Sequence, residues 1–63
     1  TGYSGLIGQV AVARSPLDPA GEVFVQGERW RAVAEGGAVA EGEPVTVTGI
    51  DGLTLKVTKA TGP

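Results

Sequence analysis

Few side chains in this sequence could take part in covalent or metal chemistry: seven carboxylates, five cations, two serines and one tyrosine, with no His and no Cys. A serine nucleophile needs a general base and a group to orient that base. Ser4 lies among the glycines of the N-terminal segment and Ser15 precedes Pro16, with no imidazole to serve either. A Ser–Lys pair with Lys56 or Lys59 is formally open, but both lysines fall on a run whose alternation exposes them. A solvated ammonium stays charged at neutral pH and is a poor base. Thiolate and imidazole metal sites are excluded. Hard cations need several converging oxygens, whereas Asp18, Glu22, Glu28, Glu35, Glu41, Glu43 and Asp51 are dispersed, each next to a turn. Neither Gly5-Leu6-Ile7-Gly8 nor Gly36-Gly37 carries the lysine and following helix of a phosphate-binding loop. These residues point away from an enzyme, and they imply no metal and no cofactor.

What remains is recognition. Phe24 with Arg29 and Arg31 is the one cluster of suitable type, because aromatic and arginine side chains dominate the energetics of protein interfaces. The same residues would also make an ordinary cross-strand cation–π pair covering a sheet face. The loop Ser15 to Ala20 is a second candidate surface.

The elements that position these residues are read from turns and alternation. Glu22 to Val25 and Glu28 to Ala34 are joined only by Gln26-Gly27, a two-residue hairpin turn in which glycine supplies positive φ. That turn sets Val25 opposite Glu28, Phe24 opposite Arg29 and Val23 opposite Trp30. Val23, Trp30, Ala32 and Ala34 then share the core face, with Trp30 its largest filler, and Phe24, Arg29, Arg31 and Val33 share the other. Val45 to Thr48 and Leu53 to Lys59 alternate apolar and polar residues as half-buried strands do, with Asp51-Gly52 as the turn between them. Gly49 marks a bulge that keeps Ile50 facing inward. Gln9 to Arg14 is a further short β run. The two prolines of Ser15 to Gly21 make that segment a loop whose Leu17 folds inward. Ala38 to Glu43 is too short and glycine-interrupted for a helix.

Five short strands in 63 residues cannot form an ordinary two-sheet sandwich, but they can close into a small barrel. Its predicted interior is Val10, Val12, Val23, Val25, Trp30, Ala32, Val45, Val47, Leu55 and Val57. Leu6 or Ile7, Leu17, Val39 and Ile50 cap the ends. Net charge is -2, which disfavours a polyanion as the main partner. The longest purely apolar stretch, Val10 to Ala13, is far short of the roughly 20 residues that span a bilayer. The chain begins without Met and ends at Gly62-Pro63, and it reads as a domain excised from something longer. Residues 1–5 are expected to be a linker from an upstream membrane region, 6–60 the barrel and 61–63 a tail.

Leu6-Ile7-Gly8, Leu17-Asp18-Pro19-Ala20-Gly21-Glu22-Val23, Gly27-Glu28-Arg29, Glu35-Gly36-Gly37, Gly42 and Val45, taken with their spacing, resemble the C-terminal soluble domain of NfeD proteins. The resemblance runs from Leu6 to about Lys59. It implies an all-β, five-stranded OB-fold barrel with an accessory role. It further implies a membrane-anchored parent, a stomatin- or prohibitin-like partner, and in long family members a ClpP-class serine protease domain ahead of the membrane segments. Trp30 departs from the family, which tends to a smaller aliphatic residue there, and so does Arg31, where an acidic or polar residue is common. Two alternatives rest on analogy. Many OB-folds bind single-stranded nucleic acid, which needs several stacking aromatics and a cationic groove; this chain has three aromatics in all, and its candidate patch is Phe24, Arg29 and Arg31, joined by Lys56 or Lys59. Gly37 to Val45 is similar to a turn in biotinyl and lipoyl carrier domains, but neither predicted hairpin tip holds the lysine that such domains modify. The reading that follows is a non-catalytic protein-interaction module.

Overall fold

Residues 3–60 are described by a computed structural model. A 3₁₀ turn at Tyr3–Leu6 leads into five strands: β1 (Val10–Ala13), β2 (Ala20–Val25), β3 (Glu28–Ala34), β4 (Pro44–Asp51) and β5 (Thr54–Lys59). They close into a barrel in the order β1-β2-β3-β5-β4. The β3–β5 contact is parallel and the other four are antiparallel. This is the small OB-fold-like barrel expected from the turns. Closure pairs the strands on both sides and so leaves no long sheet edge open.

Turn chemistry sets the register. Gln26 and Gly27 both have positive φ, 51° and 78°, the geometry of a type I′ hairpin. They bring Val23 opposite Trp30, Phe24 opposite Arg29 and Val25 opposite Glu28, as predicted. The second hairpin closes one residue later than expected. Asp51 pairs with Thr54, so the tip is Gly52-Leu53, with Gly52 at φ 67°. Leu53, expected to open the last strand, lies in the turn and is 69% exposed. The bulge is present: Val47 pairs with Val57 but Gly49 with Lys56, leaving Thr48 as the extra residue. The Thr48 hydroxyl donates to the Lys56 carbonyl at 3.1 Å. The slip pairs Ile50 with Leu55 and turns it to the core side, where it packs partly buried against the cluster.

Val23, Val25, Ala32, Ala34, Val45, Val47, Leu55 and Val57 fill the interior. Leu6, Leu17 and Val39 join them from outside the strands, and Leu6, not Ile7, is the buried member of its pair. Leu17 and Val39 are tied by reciprocal backbone hydrogen bonds of 2.8 and 2.9 Å. Residues 38–43 form no helix. The expected linker falls partly, and the expected tail wholly, outside the described residues; from Gly8 the chain is already pinned, its amide donating to the Val47 carbonyl at 2.8 Å.

Two expectations about the core need correction. Val10 and Val12 face outward, 60% and 42% exposed, while Ala11 and Ala13 are buried. The pairing explains this: Ala11 lies opposite Val45 and Ala13 opposite Val23, both interior residues, so alanine fits where the barrel is already filled from two sides. Trp30 is half-buried and packs against the core without filling it. The parallel pairing with β5 starts at Arg31, so Trp30 sits at the mouth of the barrel, one residue before the wall closes.

Candidate functional site

β1 is short and joins β2 through the proline loop, and that junction places three side chains of different origin in one row. Val12 lies opposite Phe24, and Phe24 opposite Arg29. The next row continues the ladder: the Arg14 amide donates to the Glu22 carbonyl at 2.8 Å, and Glu22 lies opposite Arg31. Val10 extends the apolar side beyond Val12, and Pro44 of β4 sits opposite Val12. All of these are exposed on the outer wall of the barrel.

The structure therefore brings Phe24 and Arg29 together as cross-strand neighbours and sets Arg31 in the adjoining row, beside Glu22. The ring itself is covered by a different cation. The Arg14 guanidinium lies 5.2 Å from the Phe24 centroid, within cation–π range. Arg29 instead pairs with Glu22, Nη1 to Oε1 at 3.6 Å. Both partners of that pair are largely solvated, so it contributes at most a few tenths of a kcal/mol to about 1 kcal/mol. Arg14, Val10 and Val12 are the members of this face that the sequence reading missed. A signal existed but was divided: in Gln9 to Arg14 the polar Gln9 belongs to the alanine set and the polar Arg14 to the valine set.

Charge is unevenly spread. All three arginines of the chain lie on this wall with Glu22, and Glu28 borders it beside Arg29; the other five carboxylates and both lysines lie outside this cluster. On the far side of Arg29 and Arg31 a shallow open groove runs to the barrel mouth, lined by Glu28, Arg29, Trp30, Arg31 and Leu53. Arg29 and Arg31 thus lie between the apolar strip of Val10, Val12 and Phe24 and the barrel mouth, where Trp30 and Leu53 line the groove.

The second candidate surface is held tightly. Ser15 Oγ accepts the Glu22 amide at 3.1 Å, Leu17 is fully buried, and the Pro19 carbonyl accepts the Ala34 amide at 2.7 Å. Ser15 is thus engaged with backbone, and among the described residues no three carboxylates converge where they could hold an ion. Among the described residues no helix is long and apolar enough to cross a membrane. What the outer wall offers chemically is apolar contact and guanidinium pairing.

Comparison with known proteins places this geometry. The family model of the NfeD-like C-terminal, partner-binding domain matches residues 3–59. The chain is 38% identical over 60 residues to a membrane-bound protease of Pyrococcus horikoshii, an alignment that covers 94% of this chain and spans 14% of the length of that protein. Its structure is similar to the C-terminal domain of stomatin operon partner protein 1510-C from the same organism, with TM-score 0.92, 35% identity and 98% of each chain covered. It is also similar to the soluble domain of a membrane protein implicated in regulation of membrane protease activity from Corynebacterium glutamicum, with TM-score 0.85, 31% identity, and 92% of this chain and 97% of that one covered.

Proposed function

The chain belongs to the NfeD family, as its C-terminal, partner-binding domain, and from that membership we propose that it docks a stomatin-type protein without itself catalysing a reaction. The docking surface in this reading is the outer wall of β1, β2 and β3. One observation carries it: Phe24 stands 38% exposed between Val12 and Arg29, with Arg14 over its ring, Val10 beyond Val12 and Arg31 in the next row. An exposed apolar area with an aromatic anchor and an arginine rim has the make-up of an interface hot spot. The domain rides on a membrane-anchored protein in this reading, in line with the soluble domain from C. glutamicum. Any proteolysis in the parent resides in segments outside this chain, which supplies the attachment between that machinery and its partner.

Phe24→Ala tests the surface. The side chain faces solvent, so the variant is expected to keep its far-ultraviolet spectrum and thermal midpoint. Its affinity for the soluble domain of a stomatin-type protein, titrated calorimetrically, should fall about tenfold, near 1.4 kcal/mol, as for an interface aromatic. An unchanged affinity would sink the assignment of this wall.

A further inference from the structure

We infer that the segment received by this wall is an acidic one, with carboxylates held between two apolar side chains. The inference rests on the docking reading above and adds the chemistry of the occupant. The arrangement of charge carries it. Arg14, Arg29 and Arg31 face outward around Glu22, with Glu28 at the edge of the groove, in a chain whose remaining surface carries five acids against two lysines. A partner carboxylate laid on this wall meets three guanidinium groups against two like charges, Glu22 and Glu28, whereas the rest of the surface carries five acids against two lysines. Guanidinium groups also suit the task because they take carboxylates in a two-pronged geometry.

The apolar residues set the spacing. Phe24 with Val12 lies on the β2 side of Arg29 and Arg31 and Leu53 on the β5 side, with Trp30 between the two arginines at the barrel mouth. Leu53 stands 69% exposed at the tip of its hairpin. Trp30 is on β3 itself, and Leu53 in the turn just before β5 lies about two strand spacings from β2, about 10 Å. A partner segment that places apolar side chains on both areas therefore carries its acids over the arginines between them. A nucleic-acid strand fits less well, because this wall offers one exposed ring and no run of stacking platforms, and a longer polyanion would run onto the acidic remainder of the surface.

The test is an amide-shift titration of the isotope-labelled domain with three probes. One is a short peptide in which glutamates lie between two leucines; the second is its lysine counterpart; the third is a thymidine oligonucleotide. The glutamate peptide should move the amides of Val12, Phe24, Arg29, Arg31 and Leu53. Its affinity should drop at least tenfold in the Arg29→Gln/Arg31→Gln double variant, which leaves the core untouched, and should weaken as salt rises. The lysine peptide should move none of these amides. Equal binding of the lysine peptide, glutamate-peptide shifts elsewhere or nowhere, or an oligonucleotide that displaces the peptide would each overturn the inference. If the peptide misses this wall while Phe24→Ala still weakens the stomatin-type domain, the acidic occupant falls and the docking surface stands.

Discussion

Leu17→Ala is expected to destabilise the domain by about 3 kcal/mol, the usual cost of emptying a fully buried leucine site. For a chain of this size the whole stability is roughly 3–9 kcal/mol, so the loss takes a large share of it. Leu17 lies outside the strands, yet it is 0% exposed and belongs to the same cluster as Val23, Val45 and Leu55. Its backbone is fixed from both directions by the paired bonds to Val39. That bridge joins the proline loop to the segment before β4, and the site therefore has little freedom to collapse around a missing side chain. Urea denaturation of the variant measures the effect. A shift below about 1 kcal/mol would mean that the loop packs on the barrel without helping to hold it.

Gly21→Ala is expected to cost a similar amount, about 2–3 kcal/mol, for the opposite reason of overfilling. A Cβ at this position would lie 2.5 Å from Leu17 Cδ2, 2.5 Å from the Pro16 carbonyl oxygen and 2.7 Å from Ser15 Oγ. The leucine end is packed in the core and would have to repack, and the Pro16 carbonyl is backbone and cannot yield without moving the loop. The same displacement would break the bond from the Glu22 amide to Ser15 Oγ. Thermal unfolding of Gly21→Ala beside Gly49→Ala gives the comparison. Gly49 has only the Lys56 side chain near it, at 3.8 and 3.9 Å, so that variant should unfold close to the parent temperature. Equal midpoints would show that the loop moves aside at little cost.

These two sites also mark how much of the molecule was legible. The β2–β3 hairpin could be read because a two-residue turn leaves one register, and alternation then assigns both faces. The bulge at Thr48 was legible for a related reason: with Gly49 beside it, Ile50 shares the core face with Val45 and Val47 only if one residue is skipped. β1 was not legible. Val-Ala-Val-Ala reads the same in either orientation, its flanking polar residues disagree, and the deciding partners Val23 and Val45 lie across long connections. Trp30 misled through size. A large apolar ring argues for the interior, but its place relative to the start of β5 puts it at the mouth. Leu53 was misplaced because Asp-Gly is a strong turn signal, whereas the chain uses Gly52-Leu53 as the central pair.

The site divides in the same way. Phe24, Arg29 and Arg31 could be assigned outward from one hairpin, since their face follows from local register alone. The rest of the wall depends on β1, and so Val10, Val12 and Arg14 became visible only when that strand was paired. Their addition changes the character of the surface. A lone aromatic with two arginines is common on sheet faces, whereas an apolar strip bordered by every arginine in the chain supports the proposed docking.

The most direct test of that claim is to map the contact on the domain itself. The isotope-labelled chain is titrated with the unlabelled soluble domain of a stomatin-type protein, and backbone amide shifts are followed residue by residue. Perturbations centred on Val10, Val12, Phe24 and Arg29 are the predicted result. Perturbations confined to the opposite wall, around Thr48, Lys56 and Thr58, or a spectrum that does not move at saturating partner, would contradict it.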